Sequence, residues 1–180
     1  MTMITKKGIL LICLAMFLGN VVSAQTTFKY IGAEKCKLCH NKPATGEQYK
    51  KWMEEPHSKA LATLSGQKAM DYAKKNNIAD PAKEEKCLKC HSTYHRADPS
   101  LRATITPTES VSCETCHGAG SSYKSPMIMK NRAMAVKAGL IIPDKALCVQ
   151  CHNKDNPFPK EFDYEASLKK VLHPNPERKN

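Results

Sequence analysis

Four copies of the pattern C-x-x-C-H contain eight of the nine cysteines of the chain. The motif residues are Cys36, Cys39 and His40; Cys87, Cys90 and His91; Cys113, Cys116 and His117; and Cys148, Cys151 and His152. In this pattern the two thiols can form thioethers with the vinyl groups of a haem, and the adjacent histidine can bind the iron. The motifs therefore predict four covalently attached haem c groups.

Zinc is the main competing interpretation, because two C-x-x-C pairs can build a four-cysteine zinc site whatever residue follows them. Only 7 of the 180 residues are histidine, so histidine would follow a given pair by chance about 4% of the time. Four histidines after four pairs make zinc, disulfide bonds and thioredoxin-like redox chemistry poor explanations of the pattern.

Three histidines, His57, His95 and His173, lie outside the motifs, whereas four irons would need four second axial ligands. At least one iron must therefore take methionine or another donor, use a residue of a neighbouring subunit, or keep an open face. His57 precedes a run of small residues that a haem could approach, and His173 ends an amphipathic helix, so both are predicted ligands. His95 is too close to His91 to reach the far face of the same haem, and its role stays open.

The chain is poor in the residues that usually form a core. After Ala24, only 22 of 156 residues are Leu, Ile, Val or Phe, which is too few to offset the entropy of ordering the backbone. Four haems would supply the missing apolar surface. The segments show helical spacing and no alternating strand pattern. They predict a single mainly α domain with extensive irregular loops, wrapped around four covalent haems.

The segments between the motifs predict short helices. Thr45 and Gln48 have the spacing of a capping box at the start of a helix over 46–54. Further helical segments are expected at 67–76, after Pro126 as far as Gly139, and at 163–172. Residues 94–112 and 153–161 are rich in Pro, Thr, Ser and Asn, and they predict loops.

The N-terminus has the layout of a secretory signal peptide. Lys6 and Lys7 precede an apolar run that ends at Leu18, and small residues follow as far as Ala24. The run is shorter than the ~20 residues that a membrane-spanning helix needs. We expect cleavage after Ala24, leaving residues 25–180 as a periplasmic domain that is not an integral membrane protein. An uncleaved membrane anchor is the alternative.

Segments outside the cysteine pattern carry a more specific resemblance. They are Tyr30-Ile-Gly-Ala-Glu-Lys-Cys36, Tyr49-x-x-Trp52 with Pro56-His57-Ser-Lys-Ala60, Val111-Ser-Cys-Glu-Thr-Cys-His-Gly118-Ala-Gly120, and Phe162-Asp-Tyr-Glu ahead of His173. On these residues the chain resembles the cytochrome c554 family of tetrahaem cytochromes. The resemblance implies an α-helical monomer with closely packed haem pairs that carries electrons in the periplasm. It also implies that His57 is the second ligand of the fourth haem, that His173 is that of the third, and that the second haem is open.

The sequence departs from the family after the third motif, where the type member has a histidine that completes the first haem. Residues 123–132 contain no histidine but offer Met127 and Met129. We favour Met129 as the second ligand of the first haem, with Met127 as the alternative, and thioether ligation would raise the reduction potential. Methionine also fills gaps in apolar packing without binding metal.

These features predict a periplasmic carrier that passes electrons between two redox partner proteins along closely packed haems and has no catalytic activity of its own. An open second haem allows an alternative, a reductase of small ligands such as nitric oxide or nitrite. The shortage of ligands also allows a subunit of a membrane-bound or filamentous electron conduit. A net charge of +11 could indicate nucleic-acid binding, but haem propionates would offset most of it, so no nucleic-acid partner is expected.

Overall fold

The structure, a computed structural model, describes residues 27–158 and 161–176. The predicted signal peptide at 1–24 lies outside these residues. None of the helices that the described residues form has the length and apolar character needed to cross a membrane.

The described residues form ten short α-helices. They are α1 (Ala33–His40), α2 (Gln48–Glu54), α3 (Gln67–Lys75), α4 (Glu85–His91), α5 (Thr93–Arg96), α6 (Cys113–His117), α7 (Pro126–Met129), α8 (Arg132–Lys137), α9 (Lys145–Cys148) and α10 (Tyr164–Val171). Single 3₁₀ turns lie between them at Pro43–Thr45, Pro56–Lys59, Ala62–Ser65 and Pro99–Leu101. Within the described ranges the only β-type pairing is an isolated bridge between Tyr30 and Arg102. The predicted mainly α architecture with irregular connections is therefore confirmed for this part of the chain.

Five of the ten helices begin at a side chain that accepts a hydrogen bond from a free N–H group of the first turn. Asp144 accepts a hydrogen bond from Leu147 N at 3.0 Å, and Asp163 accepts one from Ala166 N at 3.0 Å. Such caps replace the missing intrahelical partners of the first turn. Because α9 ends at Cys148 and α10 ends two residues before His173, these caps fix segments that hold predicted site residues.

The predicted helices at 67–76 and 163–172 are confirmed: α3 ends one residue earlier than predicted, and α10 is one residue shorter at each end. The capping box is wrong: Thr45 lies in a 3₁₀ turn, and α2 begins at Gln48 after Glu47, whose φ is 51°. The stretch after Pro126 forms two helices instead of one, with Asn131 capping the second. The predicted loop 94–112 contains most of α5 and a 3₁₀ turn, because Ser92 and Asp98 cap one turn each.

The buried part of the described chain is small and polar. Five of its twelve buried hydrophobic residues are alanines. The largest fully buried side chains are those of Glu114, Thr93, Pro81 and Ser92. The one cluster of buried apolar residues consists of Tyr123, Ala135 and Leu140, with Ile128, Met129 and Ala138 packed against it. Side chains alone therefore form little of an apolar core, as the composition predicts.

Candidate functional site

The cysteines of different motifs lie against one another. Cys36 is the main cause that raises the pKa of Cys113. The pKa of Cys151 is raised by burial, by Cys90 and, to a smaller extent, by Cys116. These neighbouring thiols link the first motif to the third, the third to the fourth and the fourth to the second, an order that differs from that in the sequence.

Two motif histidines face a histidine from a distant part of the chain. The ring centroids of His57 and His152 are 5.9 Å apart, and those of His117 and His173 are 6.0 Å apart. The bond from a metal to an imidazole nitrogen is about 2 Å long, and the ring centre lies beyond that nitrogen. The centres of two imidazoles that bind one metal from opposite sides are therefore ~6 Å apart. Both gaps therefore have the width that an iron between two imidazoles requires. These are the pairs that the sequence analysis expects for the fourth and third haems.

Backbone carbonyls orient three of the histidine rings. Nδ1 of His91 lies 2.7 Å from the carbonyl of Ala60, and Nδ1 of His173 lies 2.7 Å from that of Val171. Nδ1 of His117 lies 3.3 Å from the carbonyl of Ile141. A carbonyl only accepts hydrogen bonds, so each Nδ1 carries the proton and the lone pair of Nε2 is free to bind a metal.

Burial favours the uncharged form of His57, His152 and His117. It lowers the pKa of His57, to which the nearby His152 adds a second lowering effect, and it also lowers the pKa of His152 itself. Burial lowers the pKa of His117 as well, although the bond to the carbonyl of Ile141 opposes the shift. The neutral imidazole is the form that binds metal ions, so the surroundings match the donor set.

Ser110 and Trp52 hold the turn that carries His57. The hydroxyl of Ser110 donates to the His57 carbonyl at 2.9 Å and accepts from Leu61 N at 2.9 Å. Nε1 of Trp52 donates to the Val111 carbonyl at 2.9 Å. These bonds tie the His57 turn to the segment that leads directly into the third motif. The tryptophan belongs to the resemblance described above, whereas a single serine in a predicted loop gave no sign of its role.

Phe162 lies flat against His152. The ring centroids are 4.8 Å apart and the planes differ by 13°. This stacking restricts the orientation of the fourth-motif histidine. The sequence analysis used Phe162 only as a mark of resemblance, and its position between a predicted loop and a predicted helix gave no sign of this contact.

The two methionines after the third motif differ in burial. Met129 is half-buried and packs against the cluster that contains Tyr123, whereas Met127 is 81% exposed. The hydroxyl of Tyr123 is within electrostatic range of Cys36 in the first motif. Of the two candidates, Met129 therefore packs against the cluster whose tyrosine is near the first motif.

His95 is exposed and belongs to neither ring pair. It lines two adjoining cavities of about 340 and 360 Å³, which also share Ala82. The first cavity is also bordered by Leu88 of the second motif and by Arg102. His95 therefore lies beside the second motif, on a side where a small ligand has room.

The geometry of a four-cysteine zinc site is not formed by the residues that the structure describes. Within 27–158 and 161–176, no three His, Cys, Asp or Glu side chains come together as a group that could hold a metal ion. All eight cysteines of the motifs are free thiols. Opposed histidine pairs with free thiols beside them are instead the donor set of covalently attached haem.

A comparison with known families agrees with this donor set. The family model described as cytochrome c554 and c-prime matches residues 35–118. Across these residues the chain is similar to the cytochrome c554 family. This similarity supports haem c as the cofactor and electron transfer as the class of function. No curated protein and no solved structure matches the chain.

The match covers the first three motifs and His57. It ends at Gly118, so the fourth motif and His173 lie outside the part that aligns with the c554 family. For the fourth motif and His173 the support comes from the structure alone. His152 lies opposite His57, His173 lies opposite His117, and Nδ1 of His173 bonds to the Val171 carbonyl.

Proposed function

We propose that the chain is an exported tetrahaem cytochrome that carries electrons between two redox proteins, with one haem c attached at each motif. The observation that carries this proposal is the pair of histidine gaps of 5.9 and 6.0 Å, each between a motif histidine and a histidine distant in the sequence. When bound, each haem iron exchanges one electron between its ferric and ferrous states.

In this proposal His57 is the second ligand at the fourth motif, and His173 is the second ligand at the third. The chain holds each ligand in place beforehand. Ser110 fixes the backbone at His57, Phe162 stacks on His152, and the Val171 carbonyl orients His173. Fixed ligands resist rearrangement when the charge of the metal changes, and a small rearrangement is what fast electron exchange needs.

Met129 is our candidate for the second ligand at the first motif. It is half-buried beside Tyr123, whereas the exposed Met127 would have to leave solvent to reach the same place. The support is indirect, through the electrostatic contact of Tyr123 with Cys36. A His/Met site would give the first motif the highest potential of the row.

The contacts between cysteines support a single row in the order first, third, fourth, second. The two ends of the row would then be the first and the second motifs. A donor protein would dock at one end and an acceptor at the other, and a periplasmic location and a monomeric state complete the proposal.

Mass spectrometry and spectroscopy test the proposal directly. The protein, produced with a haem-attachment system, should have a mass equal to residues 25–180 plus four haems. His57→Ala should convert one low-spin ferric haem to a high-spin or open one in the electron paramagnetic resonance spectrum. Thr106→Ala, at an exposed position that belongs to neither ring pair, is the control and should leave the low-spin signals unchanged. Low-spin signals in His57→Ala identical to those of the unchanged protein would disprove the ligand assignment, and a mass without haem would disprove the function.

The cavity beside the second motif supports a second candidate function. Leu88 and His95 border it, and a five-coordinate iron there could bind a small ligand such as nitric oxide or nitrite. Carbon monoxide should then change the spectrum of one ferrous haem in four. An unchanged ferrous spectrum would eliminate this candidate and leave the carrier function untouched.

A further inference from the structure

Glu114 is the most deeply buried acidic side chain of the described chain. Only 1% of its surface is exposed. It lies between Cys113 and Cys116, and among the eight positions inside the four C-x-x-C pairs it is the only acidic residue. A buried carboxylate is costly unless it has partners, so its surroundings indicate what it does.

Three backbone N–H groups point at the Glu114 carboxylate. Gly120 N donates to Oε1 at 2.6 Å, Gly32 N donates to Oε2 at 2.7 Å, and Ile31 N lies 2.9 and 3.0 Å from the two oxygens. All of these partners are donors, and a protonated carboxyl would find no acceptor among them. Burial raises the pKa of Glu114, and the N–H groups of Gly120, Gly32 and Ile31 oppose that shift. The geometry therefore fits the ionised form.

These bonds attach the start of α1 to α6. Helix α1 carries the first motif and has Gly32 as its N-cap, with no cap from its own side chains. Glu109 adds a further partner by accepting from Ala33 N at 2.9 Å. The first attachment helix is thus capped by two carboxylates located about 80 residues later in the chain. Its position relative to the third motif depends on them.

The charge of Glu114 also reaches the surroundings of both motifs. It raises the pKa of Tyr30, on which burial has a larger effect. It also raises the pKa of Tyr123, on which burial and Cys36 have larger effects. A negative charge in a poorly solvated site stabilises a ferric iron relative to a ferrous one. The haems closest to Glu114 would be those attached through Cys113 and Cys36.

We propose that Glu114 is a positioning residue that fixes the first attachment helix against the third, and whose charge lowers the reduction potentials of the haems at these two motifs. This inference rests on the proposed attachment of haem at both places. It assigns two separable effects to one side chain, a hydrogen-bonding effect on geometry and an electrostatic effect on potential.

Two substitutions separate the effects. Glu114→Gln removes the charge and turns an NH₂ group toward an N–H donor, so it should disturb both. Glu114→Asp keeps the charge but shortens the side chain, so it should weaken the hydrogen bonds from the three N–H groups and preserve the low reduction potentials. Glu85→Gln is the matched control, because Glu85 is exposed and lies two residues before the first cysteine of the second motif.

Potentiometric titration and hydrogen exchange are the two measurements, made on the protein with its four haems. In Glu114→Gln two of the four midpoint potentials should rise, and the Ile31, Gly32 and Gly120 amides should exchange at least tenfold faster. In Glu114→Asp only the exchange should change markedly. Glu85→Gln should leave the exchange of these amides unchanged and should not raise the same two potentials.

The possible failures are distinguishable. If Glu114→Gln carries four haems with unchanged potentials and unchanged exchange, the inference is overturned while the carrier function stands. If the wild-type protein carries no haem at the first or third motif, the proposed function fails first. If the Glu114→Gln protein does not accumulate, hydrogen exchange of the wild-type protein is the test. Ile31, Gly32 and Gly120 amides that exchange as fast as exposed amides would overturn the proposed positioning role of Glu114.

Discussion

Replacing Ser110 by alanine should loosen the turn that carries His57. Ser110 is 7% exposed, and its hydroxyl makes two bonds of 2.9 Å, to the His57 carbonyl and from Leu61 N. Alanine removes both bonds and leaves Leu61 N without its partner, whereas the His57 carbonyl still accepts from Ala60 N at 3.2 Å. Because His57 and Leu61 are only half-buried, water can reach them in part, so we take about 1 kcal/mol for each bond rather than the upper values for fully buried groups.

The expected loss of stability is therefore ~2 kcal/mol, which corresponds to a roughly 30-fold shift in the unfolding equilibrium. The assay is guanidinium unfolding of the ferric protein with its haems attached, followed through both the haem absorbance and the circular dichroism. The midpoint should fall while the slope stays constant, since the surface exposed on unfolding does not change. The ferric spectrum should also show a partial loss of one low-spin haem, because the His57 backbone is no longer fixed.

Ser100→Ala is the matched control. Its hydroxyl also makes a short bond, to Asp98 at 2.6 Å, but the pair is exposed and water can replace it. We expect a change in stability below ~0.5 kcal/mol and an unchanged spectrum. A Ser110→Ala protein as stable as the Ser100→Ala protein, with all low-spin signals intact, would refute the reasoning that Ser110 positions His57.

Two further changes test the packing around the motifs. Thr93→Val removes a buried hydroxyl that accepts from Ser112 N at 2.8 Å and contacts the hydroxyl of Thr115. Guanidinium unfolding should therefore show a loss of stability of ~2–4 kcal/mol. A Thr93→Val protein as stable as the exposed control Thr106→Val would contradict this. Gly139→Ala places a Cβ 2.6 Å from the Phe28 ring at a φ of 100° and should cost ~2–4 kcal/mol in the same assay. Gly66→Ala is its control, since the φ of Gly66 is −80° and the added Cβ would lie 3.2 Å from the Thr63 carbonyl, so a smaller loss is expected there.

The candidate ligands could be named from the sequence to a large extent because histidine is rare in it. Counting leaves three histidines for four positions, and the resemblance to the c554 family assigns His57 and His173. The structure brings each of these rings opposite the motif histidine expected for it. Ligation by these histidines stays a prediction, and so does ligation by Met129. The sequence offered two methionines in one short segment, and burial distinguishes them.

The residues that position the ligands were not predictable in the same way. Ser110 and Thr93 are ordinary polar residues in a segment rich in Ser and Thr, and their partners lie 53 and 19 residues away along the chain. Local patterns contain no information about such distant contacts. The capping box at Thr45 failed for a related reason, since Pro43 starts a 3₁₀ turn there and the hydroxyl of Thr45 bonds to the Lys42 carbonyl instead.

The polar character of the buried residues follows from what the chain must hold. An apolar core of side chains would fill the space where the proposed haems have to lie, so the contacts between motifs are made at their edges by short polar groups. Ser92 donates to the Glu109 carbonyl, Thr93 to the Ser110 carbonyl, and Glu114 accepts from Gly32. Hydrogen bonds of this kind are directional, whereas packing of alanines is not. The same few residues can therefore fix the relative positions of three motifs and leave the interior to the cofactors.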